Sequence, residues 1–157
     1  MSFLCINKFD NDTSEISTGI RFRERCVIHS IRLKVFKCGT LQDGILTLQV
    51  LNSNGNLIGS KSLTYEEINN GISGTYAHGY MKFEFSESLV INKSELNSFT
   101  ECTLKVVMSD HTEDQNNYIA LVRDENPYTP EYGERPVNEP NNVWFNPYGL
   151  EIYSVSK

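Results

Sequence analysis

The side chains best suited to catalysis are the three histidines, His29, His78 and His111. Acid–base and nucleophilic catalysis both need such a group beside a nucleophile or a carboxylate. None of the three lies in a G-x-S-x-G, H-E-x-x-H or Walker pattern, and no Ser, Cys or Asp has motif spacing to them. We therefore predict no catalytic residue. Because a triad is defined by geometry and not by chain order, a hydrolase remains an alternative.

Two groups of residues could in principle hold a metal ion. The segment 110–114 is acidic and rich in the oxygen ligands that calcium prefers, but it lacks the spacing and the glycine of a calcium loop. A solvated loop is the favoured interpretation. The cysteines Cys5, Cys26, Cys38 and Cys102 are irregularly spaced and form no C-x-x-C pair, which argues against zinc. We expect free thiols, no metal site and no cofactor.

A long loop over residues 124–147 contains all five prolines of the chain. Proline cannot donate to a strand ladder, and irregular loops of this length are often functional. The candidate binding residues in and beside this loop are Tyr128, Tyr132, Trp144, Phe145 and Tyr148. Three interpretations stay open. The rings pin the loop to the rest of the protein, anchor a protein partner as Tyr and Trp do at interfaces, or stack on a sugar.

Strands must hold these loops in place, because apolar residues recur at alternate positions along most of the chain. We predict strands over 26–36, 45–51, 57–63, 80–85, 89–91, 102–108, 118–122 and 148–155. Asn54 and Gly55 between two apolar runs predict a hairpin. Residues 64–79 are predicted as a long connection, in which Thr64 could cap one helical turn. The pattern predicts an all-β protein, an antiparallel β-sandwich of the jelly-roll kind with about eight strands.

The bulk properties suit one domain of 157 residues with a polar N-terminal arm over residues 1–19. The net charge of −6 disfavours nucleic acid and anionic membranes as partners. The densest basic residues run from Arg21 to Lys37 at mostly alternating positions, and we expect a solvated strand face there. The N-terminus has no basic segment followed by an apolar run, so we expect no secretion signal and synthesis in a cytoplasm.

The order of elements from residue 27 to 122 resembles that of small jelly-roll domains in bacteriophage virion proteins and in carbohydrate-binding modules. The resemblance lies in IHSIRLKVFKCGT, in GILTLQVLNSNGNLIGSKSL and in YMKFEFSESLVINKSELNSFTECTLKVVMSD. It implies a non-enzymatic virion protein, such as a capsid-decoration, fibre or tail-associated protein. Such a protein would be oligomeric and would bind other capsid or tail proteins through the arm and the long loop. The alternative is a carbohydrate-binding module that holds a surface glycan on an exposed row of rings.

Overall fold

The computed structural model describes residues 5–22, 25–92, 95–96, 100–123, 131–132 and 151–156, with the backbone alone at Cys5, at Cys26 and in the last two ranges. The strands are β1 (Cys5–Lys8), β2 (Glu15–Phe22), β3 (Cys26–Cys38), β4 (Ile45–Leu51), β5 (Leu57–Thr64), β6 (Tyr76–Ile91), β7 (Thr100–Ser109), β8 (Tyr118–Arg123), β9 (Glu131–Tyr132) and β10 (Glu151–Ser156). The helix of the described residues is α1 (Tyr65–Gly71).

These strands form two sheets. In sheet A the order is β1-β8-β3-β10, and β6 also pairs with β3; in sheet B the order is β5-β4-β7-β2-β9. The pairings are antiparallel apart from the short parallel pair of β2 with β9. The described chain changes sheet at each step except the β4–β5 hairpin. The predicted all-β antiparallel sandwich is therefore confirmed.

The core lies between the sheets and follows directly from the alternation of residue types. In β3, Ile31, Leu33 and Val35 are buried, while Arg32 and Lys34 between them lie on the outer face. The other long strands repeat this arrangement, so both sheets contribute side chains to one large apolar cluster. Each fully buried Leu, Ile or Phe contributes about 1.5–3 kcal/mol relative to an exposed one. Burial of the apolar faces is the reason that the sheets stack.

Strand β6 is one long strand where we predicted two short ones. The polar residues 86–88 were interpreted as a break, but the backbone continues through them as a bulge. The register pairs Ile28 with Leu89 and Ser30 with Glu84, so His29 alone faces four residues of β6. A bulge bends a strand and re-aims its side chains without ending it. Leu89 is therefore buried in the same core as the first half of the strand.

The segment 64–79 is more regular than the long connection that we predicted. Thr64 caps α1 in a capping box: its hydroxyl accepts from the Glu67 N–H at 3.2 Å, and its own N–H donates to Glu67 Oε1 at 3.1 Å. Ile68 is buried beneath the helix. Residues from Tyr76 onward already belong to β6. The helix is short, so its cap and one buried side chain stabilise it more than helix propensity does.

The N-terminal arm that we predicted over residues 1–19 is wrong for the residues that the structure describes. Cys5–Lys8 pairs with β8 in sheet A, and Glu15–Phe22 pairs with β7 along its whole length in sheet B. Ile16 and Ile20 are buried in the core. The polar residues around them hide this alternation, but antiparallel pairing satisfies the backbone of β2 and the core takes its two isoleucines.

Candidate functional site

The binding residues that we predicted in the long loop lie almost entirely outside the described residues. This holds for Tyr128, Trp144, Phe145 and Tyr148. The backbone of Tyr132 lies in β9, in parallel register with Phe22 of β2. The three interpretations of the loop therefore remain predictions.

The described residues bring aromatic side chains together on a different surface, the outer face of sheet A. Register places Tyr80 opposite Lys34, and both Tyr76 and Tyr118 opposite Cys38. Opposite residues of an antiparallel pair share a face of the sheet. We call this surface the aromatic face and define it by Phe36, Tyr76, Tyr80 and Tyr118 together with the cations Lys8, Arg32 and Lys34.

The rings at one end of the aromatic face are in contact. Phe36 meets Tyr76 edge to face, with ring centroids 4.9 Å apart and an interplanar angle of 85°, and lies 6.2 Å from the Tyr118 ring. Edge-to-face pairs at this distance are favourable beyond the area that they bury. Phe36 and the neighbouring Ala120 are buried, whereas Tyr76 is 77% exposed. Phe36 therefore anchors a small outer cluster, and Tyr76 extends from it into solvent.

Cations lie over the remaining rings of the aromatic face. The Lys8 ammonium is 4.4 Å from the centroid of the Tyr118 ring. The Arg32 guanidinium lies 5.0 Å and the Lys34 ammonium 5.9 Å from the centroid of the Tyr80 ring. Cation–π contacts at these distances are favourable and restrict the movement of the cations and of the rings. The rings and the positive charges are thus presented together.

Charged side chains of both signs lie beside Tyr80 on β3 and β6. Arg32 lies directly opposite Lys82. Lys82 pairs with Glu84 of its own strand at 3.0 Å, and on the other side of β3 the backbone register places Glu151 opposite Arg32. Arg32, Tyr80, Lys82 and Glu84 line a shallow depression of this surface.

The outer face of sheet B differs in character. Thr47 and Ser62 share a hydrogen bond of 2.8 Å across β4 and β5. Further along the sheet, exposed ion pairs join Lys105 to Glu15 at 3.6 Å and Arg21 to Glu101 at 3.2 Å. Hydroxyl ladders and opposite-charge pairs are the ordinary way for a sheet to face water. The two outer faces are therefore chemically distinct, and the aromatic one is the candidate contact surface.

The basic residues between Arg21 and Lys37 do not share the solvated face that we expected. Arg21 lies on the outer face of sheet B, and Arg32 lies on that of sheet A. Lys37 is only 3% exposed, because its position has the inward parity of Val35. A long lysine stem can lie along apolar surface in this way. The prediction of one outward face holds for Arg32 and Lys34 of β3, but Arg21 belongs to β2 in the other sheet.

A second candidate lies at the end of the sandwich, where loops β3–β4 and β7–β8 meet. A cavity of about 220 Å³ has an apolar floor that includes Leu41, Met108 and Ile119, and a polar rim that includes Asp43 and His111. The Nε2 atom of His111 is buried without a hydrogen-bond partner. In the described residues, no group of His, Cys, Asp or Glu side chains could hold a metal ion.

Two carboxylates at this end hold the backbone of the β7–β8 loop in place. Asp43 accepts hydrogen bonds from the Thr112 hydroxyl at 2.7 Å and the Thr112 N–H at 2.9 Å, and these bonds lower the pKa of Asp43. Asp114 accepts from the Asn116 N–H at 2.8 Å and from the Asn117 amide at 2.9 Å, which lowers the pKa of Asp114. Hydrogen bonds to an ionised carboxylate favour that form. Asp43 thus joins the two loops, whereas Asp114 holds a turn within the β7–β8 loop.

One histidine does meet a serine. The Nδ1 atom of His29 lies 2.8 Å from the Ser88 hydroxyl, across the bulge of β6, and both side chains are exposed. A catalytic serine also needs a group that orients the imidazole and donors for the oxyanion. Among the hydrogen bonds of the described residues, no carboxylate reaches His29. The sequence did not reveal this pair because 59 positions separate its members.

The aromatic face was missed at the sequence level, although one signal could have found it. Phe36 and Tyr80 occupy positions of outward parity in segments that we predicted as strands, where polar residues are usual. Large rings at such positions indicate either an outer cluster or a contact surface. Tyr76 gave no such signal because it fell in the predicted connection.

Comparisons with known proteins leave the family open. No protein-family model and no curated protein matches the chain. Among solved structures, one similar chain comes from the T13 IBDV viral particle: it is 13% identical, with a TM-score of 0.34, over 74% of this chain and 26% of that chain. The present chain thus spans about a quarter of the length of that viral chain. A superposition this loose carries no argument about function. In the described residues, no helix is long and apolar enough to cross a bilayer.

Proposed function

We propose that this chain is a non-enzymatic structural or accessory protein of a virion, which binds protein partners through the aromatic face. The contact role is supported by one observation: rings and cations are concentrated on one outer face, while the described side chains of the other outer face include hydroxyl and ion pairs but no aromatic ring. The virion assignment rests on the resemblance in element order over residues 27–122. Capsid decoration and attachment to a fibre or tail both suit it.

The composition of the aromatic face supports a protein partner. Tyr and Arg are enriched among the residues that dominate binding energy, and such residues are held in place by a packed surround. Tyr76 meets this description, because Phe36 holds its ring and most of its surface faces water. Tyr80 is 38% exposed and has Arg32 against its ring. Because neighbouring side chains already hold these tyrosines in place, binding a partner would cost little of their conformational entropy.

A carbohydrate is the second candidate, and the exposure of two tyrosines favours it. Tyr76 and Tyr80 lie on the same face of β6, four positions apart, which is about 13 Å along an extended strand. A row of exposed rings at this spacing could stack on separate residues of one glycan chain. The two candidates use the same rings but differ in the partner.

Recovery of the chain with particles tests the proposal. Particles purified from the source organism on a density gradient are probed with an antibody to the chain, and stripped particles are rebound with recombinant protein. We expect the wild type to rebind and the double variant Tyr76→Ala/Tyr80→Ala to bind at least about tenfold more weakly, as for paired hot-spot residues. The matched control is Thr47→Ala/Ser62→Ala on sheet B, which should bind as the wild type does.

The outcomes separate the two candidates. Surface changes of this kind usually alter stability by less than about 0.5 kcal/mol, so equal melting temperatures will show that the variants fold. Absence of the chain from particles would overturn the virion proposal, and equal rebinding by both double variants would overturn the role of the aromatic face. Tyrosine-dependent binding on a glycan array with no particle binding would establish the carbohydrate-binding alternative instead.

A further inference from the structure

Strand β6 has an unpaired backbone edge. With 16 residues it is the longest strand of the described part of the chain. It pairs with β3 along one edge, and no described strand pairs with its other edge. The free N–H and C=O groups of an edge strand can add a further extended chain to the sheet. Native edge strands usually prevent this by short length, proline, bulges or unbalanced charges.

These protective features are missing from the first part of β6. From Tyr76 to Glu84 the strand stays in unbroken register with β3, and the bulge begins only beyond Glu84. The same nine residues contain no proline. Their lysine, Lys82, forms an ion pair of 3.0 Å with Glu84, so the charges of this segment are balanced. A second strand would therefore meet a regular and electrically neutral edge.

A second copy of β6 can pair with this edge in the antiparallel direction about a twofold axis. Side chains alternate between the two faces, so only registers that place inward residues opposite inward residues extend the sandwich. An axis beside Lys82 or Glu84 would place that residue opposite its own copy, and like charges in this position are unfavourable. An axis beside Tyr80 would place Lys82 opposite the basic side chain of His78. These three registers are therefore disfavoured.

The bulge limits the registers from the other direction. An axis beside Phe83 would pair Tyr80 with Ser86 of the second copy, and Ser86 already lies in the bulge. An axis beside Met81 avoids both the bulge and the like charges. It pairs residues 78–84 of one copy with residues 84–78 of the other, and all of these are in unbroken register with β3. This register is the one that the charges and the backbone both permit.

The outer-face side chains are complementary in this register. Glu84 would lie opposite His78 of the second copy, where a carboxylate accepts a hydrogen bond from an imidazole. Lys82 would lie opposite Tyr80 of the second copy, where a cation can contact the ring. All four side chains are exposed in the single chain and can reach across the edge. The twofold axis makes each contact occur twice.

We propose that two copies of this chain pair through the free edge of β6 as an antiparallel twofold dimer, with the axis beside Met81. The two copies of sheet A then form one continuous sheet, and both aromatic faces lie on the same side of it. The proposal does not rest on the proposed function, because it concerns a backbone edge and not the occupant of the aromatic face. A dimer would present two such faces, which increases avidity for a partner with repeated sites.

The mass of the full chain in solution gives the first test. Analytical ultracentrifugation is performed over a range of protein concentrations, with a reductant present so that cysteines do not cross-link the copies. We expect twice the chain mass of 17.9 kDa at high concentration and a fall towards that single mass on dilution. Hydrogen exchange should then show protection of amides within residues 78–84 that is lost on dilution, because the free edge forms a ladder in the dimer.

Charge variants test the register. His78→Glu places two carboxylates opposite each other at two symmetric positions, so the dissociation constant of the dimer should rise about tenfold. The double variant His78→Glu/Glu84→Lys restores opposite charges at both positions and should dimerise as the wild type does. The matched control is Gln49→Glu on the outer face of sheet B, which adds the same charge away from the edge. Its dissociation constant should stay within about twofold of the wild type.

The results have definite consequences. A single-chain mass at every concentration, or an assembly larger than a dimer, would overturn the proposal. Equal effects of His78→Glu and Gln49→Glu would overturn pairing through β6, and failure of the double variant to recover would overturn the register. Equal melting temperatures measured on dilute protein show that each variant folds. Particle binding is measured separately, so a single-chain protein that still binds particles would leave the proposed function intact.

Discussion

The contact between Gly59 and Leu89 gives a quantitative test of how the sandwich closes. Gly59 lies in β5 at the edge of sheet B, and Leu89 lies in β6 of sheet A and is 5% exposed. A Cβ atom on Gly59 would overlap with Leu89 Cδ2 and would lie 3.0 Å from its Cδ1 and 3.1 Å from its Cγ. Because the leucine is enclosed, it cannot turn away into solvent. The absence of a side chain at Gly59 allows the two sheet edges to meet.

The expected effect of Gly59→Ala follows from two opposing contributions. Overpacking a core contact costs about 1–3 kcal/mol. The reduced freedom of the unfolded chain returns about 0.4–1 kcal/mol, since the backbone at Gly59 is accessible to alanine. We expect Gly59→Ala to lower the free energy of unfolding by about 1–2 kcal/mol. Leu89→Ala should lower it by about 2–5 kcal/mol through the cavity that it leaves.

The double variant Gly59→Ala/Leu89→Ala tests whether the cost of Gly59→Ala comes from contact with Leu89. Leu89→Ala removes all three atoms that the new Cβ would meet, so Gly59→Ala should be neutral or stabilising in that background. The two changes should therefore couple by about 1–3 kcal/mol, measured by urea unfolding under reducing conditions with the m-value unchanged. Gly55→Ala is the control: its cost comes from a φ of +83° with no neighbour within 4 Å, so Leu89→Ala should not relieve it. Additive costs for Gly59→Ala and Leu89→Ala would refute the contact.

Three further predictions concern the cap, the loop staple and a buried thiol. Thr64→Ala should lower the free energy of unfolding by about 1 kcal/mol through loss of the capping box, as thermal unfolding can check, while Thr64→Ser should retain most of it. The lowered pKa of Asp43 gives stability that is present above the unfolded-state pKa of about 4 and is lost as the pH falls through the folded-state pKa. Asp43→Asn should therefore flatten the fall in melting temperature on acidification, and an unchanged profile would exclude the staple. Burial, with a smaller contribution from Glu101, raises the pKa of the Cys102 thiol to about 11. Iodoacetamide at pH 8 should therefore modify the half-buried Cys38 before Cys102, which peptide mass mapping can measure. Faster reaction at Cys102 would contradict its burial.

Most of the strands could be predicted from residue alternation because burial acts on it directly. Strand β4 begins and ends at the predicted residues, and β5 extends one residue beyond its prediction. Strand β2 was missed because Ser17, Thr18 and Gly19 interrupt its apolar residues. Its place in the sheet depends on pairing with β7, a strand about eighty positions away. Backbone hydrogen bonding with a distant partner leaves no local pattern in the sequence.

The candidate site could be predicted only in part. Parity alone puts Phe36, Lys34 and Tyr80 on outward positions of their strands. Nothing local shows that Tyr76 and Tyr118 both lie opposite Cys38, since that depends on the registers of β6 and β8 against β3. A slip of one residue in either register would turn those rings to the other face. The prediction of binding residues in the long loop is still untested.

The sequence by itself determined that this protein is built from strands with one apolar face each, because alternate apolar residues can be buried only by a second sheet. Only the tertiary structure decided which outer face became aromatic. That outcome depends on which strands become neighbours and in what register, and both are set by the packing of the whole core around β3. Residues such as Arg32 and Lys82 acquire their relationship only when distant segments pair.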